Sequence, residues 1–433
     1  MMKILRLLSV LFFLFIIQKP VFAAPLELVL TQGVDTALPI AIVPFAGQDN
    51  ITEVVRADLQ NSGQFKAMDP QKMSQTPYAP NEVNYAYWRK AGMDNVVVGQ
   101  VKAVGGNRYQ VNFALLDVFK NSDQAQILAK NSFTVPATQM RALAHHISDI
   151  IYQQLTGARG VFSTRIVYVL VQRNAGQAPR FTLQVADADG YNPRTLLVSP
   201  QPIMSPAWSH DGTRIAYVSF EKASPRIFVQ DVATGARHPV TDFPGINGAP
   251  AWSPDDSKLA LALSKGKLAP KIYVMNLRGG SLQQLTQGNS IDTEPNWAPN
   301  GKSLLFTSDR GGAPQIYQLN LATKQVQRLT FTGNYNARAS FSADGKNIVT
   351  INGQGGMYNI AIQNLQSGNM LILTHSGADA SPSLAPNGRM VLHETDIGQR
   401  GVLGMVSTDG KVKLRIPAPD GSVQDPAWSP FLS

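Results

Sequence analysis

The chain has 433 residues, 44% of them hydrophobic, with 38 Lys plus Arg against 29 Asp plus Glu for a formal charge of +9. That excess of cations is spread along the sequence and forms no basic stripe interleaved with aromatics, which argues against nucleic acid as a partner. There is no Cys, so no disulfide framework can hold the fold, and the length must supply the hydrophobic cores instead.

Residues 1–23 carry Lys3 and Arg6, then the apolar run Leu7 to Ile17, then Val21-Phe22-Ala23. This reads as a secretory signal cleaved after Ala23. The run is shorter than the roughly 20 apolar residues that span a bilayer, and the sequence offers no other candidate span for the mature chain. Removing the segment leaves 35 Lys plus Arg against 29 Asp plus Glu. An export signal without disulfides or a lipobox Cys points to the bacterial periplasm. Residues 24–34 then form a mobile N-terminal arm with an alternating apolar strand pattern. Such an end can add a strand to a partner sheet or fold back onto its own domain.

Residues 35–157 read as a small α/β domain. Strands are expected at Ile40–Pro44, Asn95–Gly99, Tyr109–Leu115 and Gln126–Val135, and helices at Ile51–Asn61, Asn81–Ala91 and Thr138–Leu155. In the last helix Met140, Leu143, Ile147, Ile150, Ile151 and Leu155 share one face. Gly157 is a plausible C-cap, and residues 158–164 link this domain to a repetitive second half.

From residue 165 to 433 a segment built like Ala-Trp-Ser-Pro-Asp-Gly recurs about every 44 residues, with its large apolar residue at Trp208, Trp252, Trp297, Phe341, Leu384 and Trp428. Five copies precede a polar turn and an alternating strand, so each unit opens with a hairpin. Four strands per period describe a propeller blade. The last copy has no room for three further strands, whereas residues 165–199 carry three strands without an opening copy. Three N-terminal strands plus one C-terminal strand make the sixth blade, closing the ring without an open edge at the seam. The fold class is therefore a small N-terminal α/β domain followed by an all-β six-bladed propeller closed by a 3+1 strand arrangement.

Catalytic readings find little support in these residues. No Gly-x-Ser-x-Gly elbow occurs, and the six His residues show no metal spacing. The Asp-Gly and Asn-Gly pairs read as turn chemistry and not as calcium ligands. The periodic Trp residues read as packing between blades. No cofactor, metal site or catalytic residue is expected. An exported hydrolase or lyase would have to draw on Asp292, Glu294, Asp425 and Arg338, which share one rim without a recognisable spacing. A cell-wall carbohydrate-binding module is the other alternative. What stands out is the rim: the residues entering each first strand ring one channel mouth and suit a protein or peptide ligand.

The junction Leu155-Thr156-Gly157-Ala158-Arg159-Gly160-Val161-Phe162-Ser163-Thr164-Arg165, the blade phase and Asn247-Gly248-Ala249-Pro250-Ala251-Trp252-Ser253-Pro254-Asp255 together carry a resemblance to the TolB family of the Tol-Pal system. It covers essentially the whole mature chain. The resemblance implies a periplasmic adaptor without catalytic activity, which binds the lipoprotein Pal at the channel mouth and the inner-membrane protein TolA through its N-terminal segment. It also implies support of outer-membrane integrity and of envelope invagination during division, with other outer-membrane proteins and colicins as further partners. Ala249, Thr293 and Glu294 stand in the segments matching the family's Pal-contacting loops, and Met204, Ser205, Asn247, Gly248, Pro250 and Arg338 complete the expected rim. Ile246 departs from the family, which commonly has His there. The TolA-binding arm corresponds to Leu26, Glu27, Leu28, Val29, Leu30, Thr31, Gln32, Gly33 and Val34, with Thr31 and Gln32 where relatives are more acidic.

Overall fold

The computed structural model describes residues 27–30, 37–47, 50–120, 126–173, 175–222, 224–265, 268–416 and 421–432. The expected signal at 1–23 and, within the arm, Leu26, Thr31, Gln32, Gly33 and Val34 lie outside them.

The described chain begins with strand β1 (Glu27–Leu30), then enters the α/β sheet at β2 (Leu38–Ile42). Helix α1 (Thr52–Asn61) leads to β3 (Phe65–Ala67), and α2 (Tyr85–Lys90) to β4 (Asn95–Gly105), β5 (Arg108–Asp117) and β6 (Ile127–Pro136). Helix α3 (Met140–Thr156) comes next. The sheet order is β3-β2-β4-β5-β6, with β3, β2 and β4 parallel and the rest antiparallel. Ile40 and Ile42 pack with α1 and α3 on one face, while Ala41 and Val43 pack around Trp88 of α2 on the other. Covering both faces explains why these strands read as unbroken apolar runs. Each fully buried Ile or Leu here contributes about 1.5–3 kcal/mol. Gly157 ends α3 in the left-handed region, φ 74°, with its N–H donating to Gln153 O at 2.9 Å, as its sequence position predicts.

Two elements differ from their sequence patterns. The helix expected over Asn81–Ala91 is split into a single turn at Pro80–Glu82 and then α2. Asn84 causes the break by capping α2, its side chain accepting the Tyr87 N–H at 3.1 Å, since Asn favours such local bonds over helix interiors. Strand β3 has no counterpart among the expected strands, because three residues show no usable period.

Among the described residues the remaining strands form six blades. The first is β30 (Ser422–Trp428), β7 (Arg165–Gln172), β8 (Arg180–Asp187) and β9 (Arg194–Ser199), in that order, which is the 3+1 closure. The next five open with β10 (Ile203–Trp208), β14 (Asn247–Trp252), β18 (Asp292–Trp297), β22 (Tyr335–Phe341) and β26 (Ala380–Leu384). These first strands neighbour one another in turn, with β30 touching both β10 and β26, so the ring is complete. The repeated Trp residues stitch it: Trp208, Trp252 and Trp297 each donate their indole N–H to a first-strand carbonyl of the preceding blade, Ala427, Ala207 and Ala251, at 3.0–3.2 Å.

The last blade runs β26, β27 (Met390–Ile397), β28 (Arg400–Ser407) and β29 (Val412–Ile416), and β1 adds to it as a fifth, outermost strand. The register pairs Glu27 with Arg415 and Leu30 with Val412. The described part of the arm thus takes neither expected fate: it folds back, but onto the propeller's last blade and not onto the α/β domain. The α/β domain meets the same corner: a Cβ at Gly63 would lie 2.1 Å from Val412 Cγ2. Arg141 of α3 also meets Asp189 in the turn after β8, and the linker residue Arg159 reaches the turn after β26 and the C-terminal residues, its carbonyl accepting from Asn387 Nδ2 at 3.0 Å and its Nη2 donating to the Leu432 carbonyl at 3.5 Å. All lie at the ends where first strands finish, opposite the mouth where they begin.

Candidate functional site

Each first strand contains a bulge at the same phase, with register breaks at Met204/Ala207, Gly248/Ala251, Thr293/Asn296, Ala337/Ser340, Ala380/Ser383 and Gln424/Ala427. The bulged residues Ser205, Ala249, Glu294, Arg338, Ser381 and Asp425 all have φ between 47° and 54°. Five of them precede Pro, which disfavours right-handed helical backbone for the residue before it and removes one ladder donor. A non-Gly residue in the left-handed region costs about 1–2 kcal/mol. Six in a ring, none of them Gly and five of them polar or charged, indicate that those five side chains are used.

Arg338 shows the use. It lies 28% exposed on β22, and its Nη1 donates to Ser381 Oγ at 2.6 Å and to Asp425 Oδ1 at 2.7 Å. Nη2 reaches Ser205 Oγ at 3.5 Å on β10, the strand diametrically across the ring, and Nε lies 3.7 Å from Glu294 Oε1. One guanidinium therefore joins the bulged residues of five blades and plugs the channel below its mouth. The main chain is tied in as well. Ser205 N donates to Asp425 Oδ2 at 3.1 Å, Arg338 N to Glu294 Oε2 at 2.9 Å, and Asp425 N to Glu394 Oε2 at 3.1 Å.

The electrostatics arise from this crowding. Burial works against the Arg338 charge, but Asp425 and Glu294 more than offset it and raise its pKa further. Burial would raise Asp425, yet the Arg338 charge and the Ser205 N–H bring it below the usual carboxylate range. Glu394 is pushed by burial up to about 7, with the Asp425 N–H acting in the opposite sense. Asp292, fully buried, is held by Ser308 Oγ at 2.6 Å and Arg310 Nη2 at 3.0 Å. The charged residues on which an enzyme would have to draw are thus engaged in holding the rim together.

Of the expected rim residues, Ser205, Ala249, Glu294 and Arg338 are bulge positions, and Met204, Gly248 and Thr293 each precede one. Pro250 succeeds Ala249. Asn247 is 1% exposed, its Nδ2 holding the preceding loop by donating to the Phe243 carbonyl at 2.7 Å. Around the polar floor stands an apolar collar that the repeat pattern does not reveal. Ile246, Ile291 and Phe331 precede first strands and are 48%, 48% and 73% exposed, and Tyr358 and Ile397 join them from hairpins at the same end. Glu394 also escapes the repeat pattern, because it lies on a second strand; its buried period-two neighbour Leu392 gives no sign that the position faces the channel.

The arrangement is a rigid hydrogen-bonding platform rimmed by apolar side chains. Among the described residues no helix is long and apolar enough to cross a membrane. Residues 152–432 match the TolB β-propeller domain and residues 26–124 the TolB amino-terminal domain. The Tol-Pal system protein TolB of Coxiella burnetii is 55% identical over 421 residues, 95% of either chain. That of Legionella pneumophila strain Corby is 55% identical over 412 residues, 94% of this chain and 96% of its own. The crystal structure of TolB from Acinetobacter baumannii superposes with a TM-score of 0.87 at 42% identity, covering 94% of this chain and 100% of that one.

Proposed function

This chain belongs to the TolB family of Tol-Pal system proteins, and on that premise we propose that it is a non-catalytic periplasmic adaptor. Its channel mouth receives the lipoprotein Pal, and its N-terminal segment engages TolA. Through these contacts it serves outer-membrane integrity and envelope invagination during division, with other outer-membrane proteins and colicins as further users of the same surfaces. The observation that carries this reading is the ring of six left-handed bulges, five of them joined through Arg338. A platform already fixed by hydrogen bonds loses little entropy when a partner docks, and the apolar collar supplies the desolvated contacts that dominate interface energies. The arm fits the second role because β1 is held along one edge by a single ladder. A partner sheet could take the same strand by augmentation, and docked and free arms form two states that a ligand at the mouth can bias.

The test is capture of Pal by the full mature chain and by Thr293→Arg and Ala249→Trp variants. Both variants should lose binding while keeping the wild-type melting curve, and undiminished capture by both would overturn the mouth assignment. Deleting residues 24–34 should abolish TolA capture and leave Pal capture intact or stronger.

A further inference from the structure

On the side away from the mouth, the α/β domain and the propeller enclose a cavity of about 400 Å³. Trp428, Met390, Met405 and Phe162 line its apolar side, and Asp58, His145 and Asp189 form a polar end. Asp58 comes from α1, His145 from α3 and Asp189 from the β8–β9 turn, so the polar end is assembled only when the domains meet. A cavity with apolar walls and a few convergent polar groups is the usual form of a small-ligand site.

Among the described residues two buried nitrogens at this end lack hydrogen-bond partners, the donor Arg141 Nε, 4.0 Å from Asp187 Oδ2, and His145 Nε2. His145 Nδ1 lies 2.8 Å from Asp58 Oδ2. A carboxylate accepts, so Nδ1 carries the proton, and Nε2 of the neutral ring is a bare acceptor. His145 is 2% exposed, and among the described residues Nε2 has no hydrogen-bond partner. The polar atom facing it is Asp189 Oδ2 at 3.8 Å, a second acceptor. Asp189 is otherwise held by Arg141 and by the Tyr191 N–H at 3.0 Å. Asp58 and Asp189 outnumber the Arg141 guanidinium when His145 is neutral, and Asp187, 4.0 Å from Arg141 Nε, adds to the negative side. Arg389 and Asp409, also on the wall, offset each other in sign. Two opposed acceptors in a negative surrounding call for a cationic donor, and an ammonium brings three N–H groups.

We propose that this interdomain cleft binds an amphipathic primary amine, with the ammonium between His145 Nε2 and Asp189 and the apolar body along Trp428, Met405 and Met390. The site is separate from the mouth, and an occupant would bridge the two domains. A proton on Nε2 competes for the same place. Burial disfavours the imidazolium, but Asp58, by charge and hydrogen bond, and then Asp189 raise His145 above its ordinary value. Amine binding therefore strengthens as pH rises past that titration.

The test is isothermal titration of the full mature chain with 4-phenylbutylamine at about pH 6 and pH 8, beside the uncharged 4-phenyl-1-butanol. We expect one amine per chain, the alcohol weaker by about tenfold or more, and tighter amine binding at the higher pH by up to about tenfold. Asp189→Asn should weaken the amine by at least about tenfold. Ala188→Leu, which narrows the apolar side, should weaken it as well, with a cooperative melt certifying the fold of each variant. Equal affinity for amine and alcohol would overturn the proposal, because the cavity would then read apolar area alone. Unchanged binding in both variants would do so by placing the amine elsewhere, and so would absence of amine binding at either pH, which leaves the proton as the sole occupant.

Discussion

Asp256 shows how a single residue departs from a repeat and compensates. It adopts φ 55° at the turn position that Gly212, Gly301, Gly345 and Gly388 hold in other blades at φ 68–71°. The strain of about 1–2 kcal/mol is offset because Asp256 accepts the His210 N–H at 2.8 Å and the Asp211 N–H at 2.9 Å, tying its turn to that of the preceding blade. Asp256→Gly should therefore change stability by less than about 1 kcal/mol, since it relieves strain as it removes the bonds. Asp256→Ala keeps the strain and loses both bonds, and should cost about 2–3 kcal/mol in urea unfolding; an Ala variant as stable as the Gly variant would contradict the account. Glu394 makes a different prediction. Its folded pKa of about 7 lies above the ordinary value of 4.5, so the folded state binds more protons through that window and stability falls as pH rises across it. Glu394→Gln keeps an acceptor for the Asp425 N–H and has no proton to lose. It should match the wild type near pH 4 and exceed it by about 1 kcal/mol at pH 8, a value discounted for partial exposure. A difference independent of pH would rule out this titration as the cause. The missing Gly at Asp255-Asp256 is visible in the sequence. The role of Glu394 is not, because it depends on which first strand closes against its blade, here β30 with its Asp425 N–H.

At the scale of elements, legibility tracks the strength of the local period. Helix α3 has six apolar positions on one face and a Gly cap, and it forms over nearly the expected span. The helix expected over Asn81–Ala91 starts only at Tyr85 because the Asn84 side chain makes a better local bond as a cap than the helix interior offers. Strand β1 has a readable pattern, but no pattern names the strand it will pair with. Its partner β29 is the outermost native strand of the last blade, and beside it Gly63 lets the α/β domain approach Val412 with no side chain between. The edge of β29 is thus covered by β1, as exposed edges in stable proteins generally are covered. Deleting residues 24–34 should accelerate amide hydrogen exchange across Val412–Ile416 by at least about tenfold while β27 keeps its protection, as expected for local opening at a strand edge. Unchanged exchange at β29 would mean that the strand does not depend on β1.

At the scale of the whole molecule, the truncated last repeat matters most. Residues 422–428 form the innermost strand of a blade whose other three strands lie about 250 residues earlier, beginning at Arg165. Counting strands in the sequence is enough to infer this, because a blade lacking its inner strand and a repeat lacking its outer ones complement each other. Counting does not show that the same strand supplies Asp425 to the Arg338 cluster and Trp428 to Thr164 Oγ1, at 2.7 Å, beside the domain junction. Closure, the plug of the channel and the docking of the α/β domain therefore share one short segment. Removing it would expose the β7 edge, unpair Arg338 from Asp425 and remove Val423 and Trp428 contacts worth about 1.5–3 kcal/mol each. Against a typical total stability of about 5–15 kcal/mol, a chain ending at residue 420 should lose its cooperative thermal transition. A synthetic peptide of residues 421–433 supplied in trans should restore both that transition and Pal capture, because the missing strand needs only its ladder partners and no covalent link. A truncated chain that melts cooperatively at the wild-type temperature without the peptide would show that the ring does not need its closing strand.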